Sequence, residues 1–166
     1  MKKFSILLTV ILLFSLVGCS KSEKKEFTSH IPPETAEVGE DIQIDETNHI
    51  NITDISVKDS EDSKFVIITY DWTNDSKSAT TSDKSFTITA KQDGVGLTPS
   101  LKVVEDKKKL VTQIDAGDTL SGMEQGFALN NEESPVEFSI KGNMYSVIID
   151  GKPQLAYPVK VTVDLP

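Results

Sequence analysis

The residues best suited to chemistry are one cysteine, two histidines and a short run of acidic side chains. Cys19 carries the only thiol, a soft nucleophile that can form a covalent bond or bind a metal. His30 and His49 could act as general bases or metal ligands if a rigid environment positioned them. The segment around Asp59 is rich in carboxylate oxygens, the ligands that calcium prefers. The sequence around each group decides which of these chemistries is open to it.

Cys19 ends a segment that has the three parts of a secretory signal peptide. Two lysines give a basic start, residues 4–18 are almost wholly apolar, and a small residue precedes the cysteine. This apolar run is shorter than the roughly 20 residues that a membrane-spanning helix needs. We therefore expect residues 1–18 to be a signal peptide that is removed from the mature protein.

The residues at this junction, Leu16-Val17-Gly18-Cys19, resemble the lipobox of bacterial lipoproteins. The resemblance implies that the Cys19 thiol receives a diacylglyceryl group, that a palmitate-type chain is added, and that the domain is held at the outer face of the cytoplasmic membrane. Two acyl chains suffice for stable attachment, at about 0.8 kcal/mol per buried methylene group. An ordinary secreted protein with a chance cysteine is the alternative. Once acylated, Cys19 could supply no disulfide, catalytic thiol or metal ligand.

The charge of the chain argues against several classes of partner. The net charge is −9, and loss of residues 1–18 leaves 15 lysines against 26 acidic residues, a net charge of −11. All the basic residues are lysines, so the planar fork with which arginine binds phosphate is absent. An acidic surface argues against binding nucleic acid, which depends on neutralising phosphates, and against lying flat on an anionic membrane.

Residues 19–47 have the composition of a flexible tether. They combine charged residues, serine, threonine and proline with few large apolar side chains, so they cannot bury enough surface to offset the entropy of ordering. Within them, "DIQID" at residues 41–45 could form a short first strand. His30 lies in this tether and His49 lies just beside it, so we expect neither to be catalytic. Residues 48–166 are then one domain.

An alternation of apolar and polar residues predicts an all-β domain after residue 48. In residues 64–75 both faces are apolar, which indicates a central strand, and Trp72 is expected in the core rather than as a ligand platform. About seven to nine strands at this spacing predict a two-sheet sandwich. A bulge is expected near Thr53 and Asp54. One helical turn is expected within residues 103–111. The predicted strands are 49–58, 64–75, 85–94, 101–105, 118–130, 135–142, 144–150 and 158–166.

The segment "FVIITYDWTNDSKSATTSDKSFTITAKQDGVGL", residues 65–97, resembles a domain of many Gram-positive lipoproteins. The matching features are Trp72-Thr73-Asn74 at a strand end, "QDG" at residues 92–94 and the later segment 122–140. The resemblance implies a telokin-like, immunoglobulin-like sandwich of uncharacterised function. The cysteine pair of true immunoglobulin domains is absent. These motifs describe turns and core, and they report no chemistry.

Two charged clusters have competing interpretations. Asp59, Glu61 and Asp62 could hold calcium, but their spacing does not match a twelve-residue calcium loop and favours a solvated hairpin. The cluster at residues 107–109, three lysines, could touch teichoic or lipid phosphates. Exposed lysines along a strand edge also discourage aggregation, which is the interpretation that we favour.

The sequence predicts a non-catalytic, lipid-anchored recognition domain. It contains no glycine-rich phosphate loop, zinc-ligand spacing or dinucleotide fingerprint, so we expect no cofactor. The expected ligand is an envelope polymer, a surface protein or a host molecule. The alternative is an accessory or inhibitory module for another envelope protein, which calcium could regulate. A monomer is expected.

Overall fold

The computed structural model describes residues 31–60, 63–143, 146–149, 152–155 and 157–166. These residues form thirteen strands, a four-residue α-helix and one 3-10 helix. The strands are β1 (Asp41–Asp45), β2 (Asn48–Ser60), β3 (Ser63–Asn74), β4 (Thr80–Thr81), β5 (Phe86–Gln92), β6 (Val95–Gly96), β7 (Thr98–Ser100), β8 (Gln113–Ile114), β9 (Thr119–Ala128), β10 (Val136–Gly142), β11 (Ser146–Ile149), β12 (Lys152–Leu155) and β13 (Val159–Val163). The helices are α1 (Ser82–Ser85) and the 3-10 helix Lys107–Val111.

Two antiparallel sheets enclose the main core. One contains five strands in the order β1-β2-β3-β9-β7, and the other contains four in the order β13-β10-β5-β6. Apolar side chains from both sheets are buried in one cluster between them. The remaining four strands form two small two-stranded sheets, β11-β12 and β4-β8. The prediction of an all-β sandwich is confirmed.

β3 is a central strand with both faces buried, as its sequence predicts. On its outer face Phe65 and Ile67 form a small second cluster with Val103 and Ala128. Its inner face carries Val66, Ile68, Tyr70 and Trp72, all fully buried. The Trp72 ring lies 5.8 Å from the ring of Phe86 in an edge-on arrangement, so Trp72 belongs to the core, as expected.

Several finer expectations are also confirmed. The register between β2 and β3 shifts between Ile52 and Asp54, where the bulge was expected. Asp93 adopts a positive φ of 52° in the tight turn that joins β5 to β6, in the expected "QDG" turn. The helical turn expected within residues 103–111 is the 3-10 helix Lys107–Val111.

The strand predicted at residues 101–105 is wrong. Thr98–Ser100, just before it, pairs with β9 instead, and the chain then leaves the sheet. Val103 and Val104 are buried because this segment folds over the outer face of β3 and β9. Val103 packs closely against Gly126 of β9, where a Cβ atom would lie 2.6 Å from Val103 Cγ2. The apolar residues therefore cover a sheet rather than extend one.

The folded domain begins before residue 48, within the range predicted as tether. β1 pairs with β2, and its Ile42 and Ile44 are buried in the core. Further upstream, Ala36 N donates to Lys160 O and Lys160 N donates to Glu34 O, both at 3.0 Å. The chain thus borders β13 in one sheet and then crosses to form β1 in the other. Among the described residues, no helix is long and apolar enough to cross a bilayer.

Candidate functional site

The outer face of the four-stranded sheet carries a regular array of polar side chains. In β5, Phe86, Ile88 and Ala90 are buried in the core, so the alternating residues of the strand lie on the outside. The antiparallel pairing of β5, β10 and β13 aligns these outer residues in rows. The rows, which we call the polar face, are Lys91, Glu137 and Thr162, then Thr89, Ser139 and Lys160, and then Thr87 and Lys141.

A shallow cleft of about 410 Å³ lies over one half of the polar face. At its floor Thr89 is directly opposite Ser139, and Thr87 is directly opposite Lys141. The residues that line this polar cleft are Thr87, Thr89, Ser139, Lys141, Gly142, Asn143 and Pro158. Its floor is a hydrogen-bonded sheet, so the side chains are carried on a rigid support.

Hydrogen bonds fix the borders of the polar cleft. The Asn143 side chain donates to Asp83 O at 3.0 Å, and its backbone N–H donates to Ser85 O at 2.9 Å. Thr87 Oγ1 donates to Asn143 Oδ1. On the adjoining row, Lys160 Nζ lies 3.1 Å from Glu137 Oε2. The groups at the edges of the cleft are therefore already partnered.

The middle of the polar cleft is different. Within the described part of the chain, the side chains of Thr89, Ser139 and Lys141 have no hydrogen-bond partner in the protein. Two hydroxyl groups and one ammonium group on neighbouring strands can donate to phosphate, carboxylate or sugar oxygens, and the hydroxyls can also accept. This arrangement can bind a ligand that is anionic and rich in hydroxyl groups.

The motif residues that carry the family resemblance have structural roles. Gln92 is buried, and its Oε1 accepts from the backbone N–H groups of Asn130 and Asn131. Its Nε2 donates to Asn131 O at 3.1 Å and to Ser134 O at 2.8 Å. Asn74 is equally buried, and its side chain donates to three backbone carbonyls. These two amides hold connecting loops in place. Neither residue lines the polar cleft.

Comparison of the sequence with protein families gives one clear match. The family described as a domain of unknown function, DUF5067, matches residues 21–142. The chain belongs to this family. No curated protein matches the DUF5067 chain.

Three solved structures resemble the DUF5067 fold. A candidate lipoprotein of Bacillus subtilis is 17% identical with a TM-score of 0.50, and the match covers 82% of this chain but only 39% of that protein. An uncharacterized β-sandwich protein of Clostridium difficile is 18% identical with a TM-score of 0.52, over 78% of this chain and 94% of the other. A candidate lipoprotein of Staphylococcus aureus is 12% identical with a TM-score of 0.54, over 82% and 91%. At these identities the likeness establishes the fold.

The structure corrects the prediction for His49 in the DUF5067 domain. This residue lies in β2, and its Nδ1 is 2.6 Å from Asp75 Oδ2 while its Nε2 is 3.9 Å from Asp41 Oδ1. The sequence missed this setting because the carboxylates lie on β1 and beyond β3. Each ring nitrogen faces a carboxylate, and the nearby Thr73 hydroxyl pairs with Thr119 at 2.7 Å. His49 therefore joins β2 to β1 and to the chain that follows β3.

The other predicted site residues fall largely outside the described residues. Asp59 lies near the end of β2 with its side chain 78% exposed and 3.8 Å from Lys64 Nζ. Glu61 and Asp62 are outside the described residues, so the calcium hypothesis stays a prediction. The same is true of the lipobox, residues 16–19, with Cys19. Within the described ranges of the DUF5067 chain, no three His, Cys, Asp or Glu side chains are grouped to hold a metal ion.

The lysine cluster is not on a strand edge. Lys107, Lys108 and Lys109 lie in the 3-10 helix, so the edge-protecting interpretation is wrong. Lys109 Nζ donates to Ser121 O at 2.9 Å and to Gly122 O at 3.0 Å, which fixes the helix against β9. The other two lysines are exposed to solvent.

Proposed function

We propose that this chain is a lipid-anchored, non-catalytic recognition domain that binds an anionic, hydroxyl-rich polymer of the cell envelope in its polar cleft. The observation that carries the proposal is the group of three unpartnered side chains, Thr89, Ser139 and Lys141, side by side on a rigid sheet. Their hydroxyl and ammonium groups can donate hydrogen bonds to phosphate oxygens, and the two hydroxyl groups can also accept hydrogen bonds from hydroxyl groups of the ligand.

The local charge supports an anionic ligand. The chain as a whole has a net charge of −9, so its surface disfavours anions in general. The polar face is an exception, because it carries Lys91, Lys141 and Lys160 against a single carboxylate, Glu137. An open, shallow cleft suits a segment of a long polymer, which can enter and leave at both ends.

The anchor is a diacylglyceryl group with palmitate-type chains on Cys19, at the outer face of the cytoplasmic membrane of a Gram-positive cell. Support comes from the lipobox resemblance and from the two solved structures of similar fold that are described as candidate lipoproteins.

The start of the folded domain lies close to the polar cleft. Thr35 forms a parallel bridge with Lys160, so the chain before Thr35 lies alongside the residues before Lys160, among them Pro158, which lines the cleft. Eleven residues lie between Cys19 and Ile31, and the chain from one to the other spans at most about 40 Å. The tether therefore holds the cleft near the membrane.

The absence of catalysis is part of the proposal. Thr89 and Ser139 supply hydroxyl groups to the cleft, and its lining among the described residues includes no histidine or carboxylate to serve as a general base. His49, the one histidine among the described residues, is engaged by Asp75 and Asp41 on the other sheet. Binding needs only the hydrogen-bonding groups that the cleft already presents.

A binding experiment with two chemically distinct polymers tests this function. The chain from residue 20 onward is titrated with poly(glycerol phosphate) and with neutral dextran, by calorimetry at two salt concentrations. We expect binding to the phosphate polymer alone, weakened at high salt because the contact is partly ionic. The variant with Thr89→Ala, Ser139→Ala and Lys141→Ala should lose at least tenfold in affinity.

A matched control has the same residue types changed elsewhere, with Thr98→Ala, Ser63→Ala and Lys77→Ala. These three side chains are exposed and make no side-chain hydrogen bond with the described residues, so the affinity should stay within about twofold of the original. Equal losses in both triple variants, or no binding of the unmodified chain to the phosphate polymer, would overturn the proposal.

A further inference from the structure

A second surface presents apolar side chains to solvent on a rigid support. Leu101 is 53% exposed and Val111 is 66% exposed, the latter the highest value among the large apolar residues that the structure describes. Large apolar side chains grouped at a surface are typical of interaction sites. With their neighbours they form what we call the 99–111 surface, made of Pro99, Ser100, Leu101, Lys107, Lys108, Leu110 and Val111.

The 99–111 surface surrounds a small cavity of about 240 Å³. The cavity lies beside β7 and β9, and Leu101 and Leu110 form part of its apolar wall. Gln125 provides a polar group in the wall, and its Nε2 is held by the hydroxyl of Tyr70 at 3.1 Å. The residues that line the cavity are Pro99, Ser100, Leu101, Leu110, Gln125 and Gly126. A cavity of this size accepts one large apolar side chain.

Contacts from three directions hold the 99–111 surface in place. Lys109 Nζ donates to the carbonyls of Ser121 and Gly122, and Ser82 Oγ donates to Leu110 O at 2.9 Å. On the other side, the backbone N–H of Glu105 donates to Glu124 Oε2 at 2.7 Å. A surface already held in its binding conformation loses little entropy when a partner docks.

The charge beside the cavity defines the partner. Residues three apart in a 3-10 helix lie one above the other, so Lys107 shares a side with Leu110 and Lys108 shares a side with Val111. Within the described part of the chain, Lys107 and Lys108 have no carboxylate partner. Leu110 and Val111 are therefore each accompanied by a lysine on the same side of the helix.

We propose that the 99–111 surface docks an acidic peptide segment of a partner protein, which places one apolar side chain in the cavity and its carboxylates on Lys107 and Lys108. The complementarity is of two kinds, an apolar anchor in a preformed cavity and opposite charge at its rim. At about 240 Å³ the cavity has room for a side chain but not for a long acyl chain, which argues against a lipid as the occupant. This site lies at the β7 edge of the domain and does not depend on the polar cleft, so a protein partner and a polymer can bind together.

Selection from random peptides tests the proposal directly. Twelve-residue peptides displayed on phage are selected on the chain from residue 20 onward. They are counter-selected on a variant that carries Leu101→Ser, Val111→Ser, Lys107→Glu and Lys108→Glu. All four side chains are exposed, so the variant is expected to fold. The expected consensus is one Leu, Phe or Met flanked by Asp or Glu, and a synthetic consensus peptide should bind at least tenfold more weakly to the variant.

The control variant changes one exposed apolar residue and two exposed lysines away from the surface, with Val95→Ser, Lys77→Glu and Lys91→Glu. Val95 is 59% exposed, so it is a fair match for Leu101. This control should bind the consensus peptide within about twofold of the original. Vesicles of anionic phospholipid serve as a separate probe and should not bind. Selected peptides without acidic residues, equal affinity for both variants, or binding of vesicles in place of peptide would each overturn the proposal.

Discussion

The Asp45 carboxylate lies so close to the backbone of Gly142 that position 142 has no room for a side chain. A Cβ atom on Gly142 would lie 2.1 Å from Asp45 Oδ2, well inside contact distance. Asp45 Oδ1 also accepts from Thr47 N at 2.7 Å and from Asn48 Nδ2 at 3.1 Å. Asn48 Oδ1 accepts in turn from Trp72 Nε1 at 3.0 Å. A buried chain of polar contacts therefore links the end of β1 to β10 and to the core tryptophan, joining the two sheets at one end.

The first prediction concerns this contact. Gly142→Ala should lower the free energy of unfolding by about 1–3 kcal/mol, because Asp45 has to move and its hydrogen bonds have to rearrange. Urea denaturation followed by the fluorescence of Trp72, the only tryptophan, measures the loss. Gly96→Ala is the control, since a Cβ at that position has nothing within 4 Å and the backbone is unstrained. Equal stabilities for the two variants would contradict the close approach.

The second prediction separates partnered from unpartnered polar groups on the same strand. Asn48→Ala leaves the buried Trp72 N–H without its partner and removes the Asn48 hydrogen bonds to the Asp45 carboxylate, so we expect a loss of about 1–3 kcal/mol and a changed Trp72 emission maximum. Asn51, three residues on, has a buried Oδ1 with no hydrogen bond. Asn51→Ala should therefore leave stability unchanged or raise it. The reverse ranking in thermal denaturation would disprove the assigned network.

The third prediction tests the buried amide of Gln92. Gln92→Glu keeps the shape of the side chain but sets a carboxylate against the carbonyls of Asn131 and Ser134. The folded state should then raise the pKa of the new carboxyl, because burial and the facing carbonyls disfavour its charged form. The destabilisation is smallest at acid pH and grows as the pH rises above about 4.3, where the carboxyl of the unfolded chain ionises.

Denaturation of this variant between pH 3.5 and 7, each time against the unmodified chain, measures that trend. Lys91→Ala is the control, since Lys91 is the exposed neighbour on the same strand and should show no such dependence. A constant difference across the pH range would mean that Gln92 is not buried against these carbonyls.

Most strands were predictable because the alternation of apolar and polar residues within each strand shows which of its faces is buried. In β5 and β10 every second residue is apolar, and that alternation alone separates core from surface. Trp72 could be assigned to the core for the same reason. β1 was harder, since its Ile42 and Ile44 are two apolar residues in a polar stretch, and their burial depends on neighbours far along the chain.

The candidate sites could not be predicted, because they depend on how distant strands pair. Thr89, Ser139 and Lys160 become neighbours only through the order β13-β10-β5, which no local pattern specifies. Residues 101–105 illustrate the opposite error. Their apolar side chains are buried, as a strand would require, but they cover a sheet rather than join one. The pattern of apolar residues predicts which side chains are buried, but it does not predict which strand or sheet they pack against.

The last prediction concerns Tyr70, a tyrosine in the core. Tyr70 is fully buried, and its hydroxyl accepts a hydrogen bond from Gln125 Nε2 at 3.1 Å. Burial raises the pKa of Tyr70 above its ordinary value of 10.0, because the phenolate would lose its hydration, while the Gln125 hydrogen bond opposes the shift only in part. The unfolded chain therefore releases this proton at a lower pH than the folded protein. It follows that the stability contributed by the neutral phenol is complete below pH 10 and is lost as the pH rises further.

Tyr70→Phe removes the titrating group and one hydrogen bond, at a cost of about 0.5–1.5 kcal/mol at neutral pH. The unmodified chain should lose stability more steeply than the variant between pH 10 and 11.5, so that their urea midpoints converge. Absorbance at 295 nm gives an independent measurement, in which the phenolate signal of Tyr70 should appear together with unfolding. All other ionisable groups are common to the two proteins, so the difference between the two curves isolates Tyr70. Parallel curves for the two proteins would show that Tyr70 ionises freely in the folded state, which its burial in the core forbids.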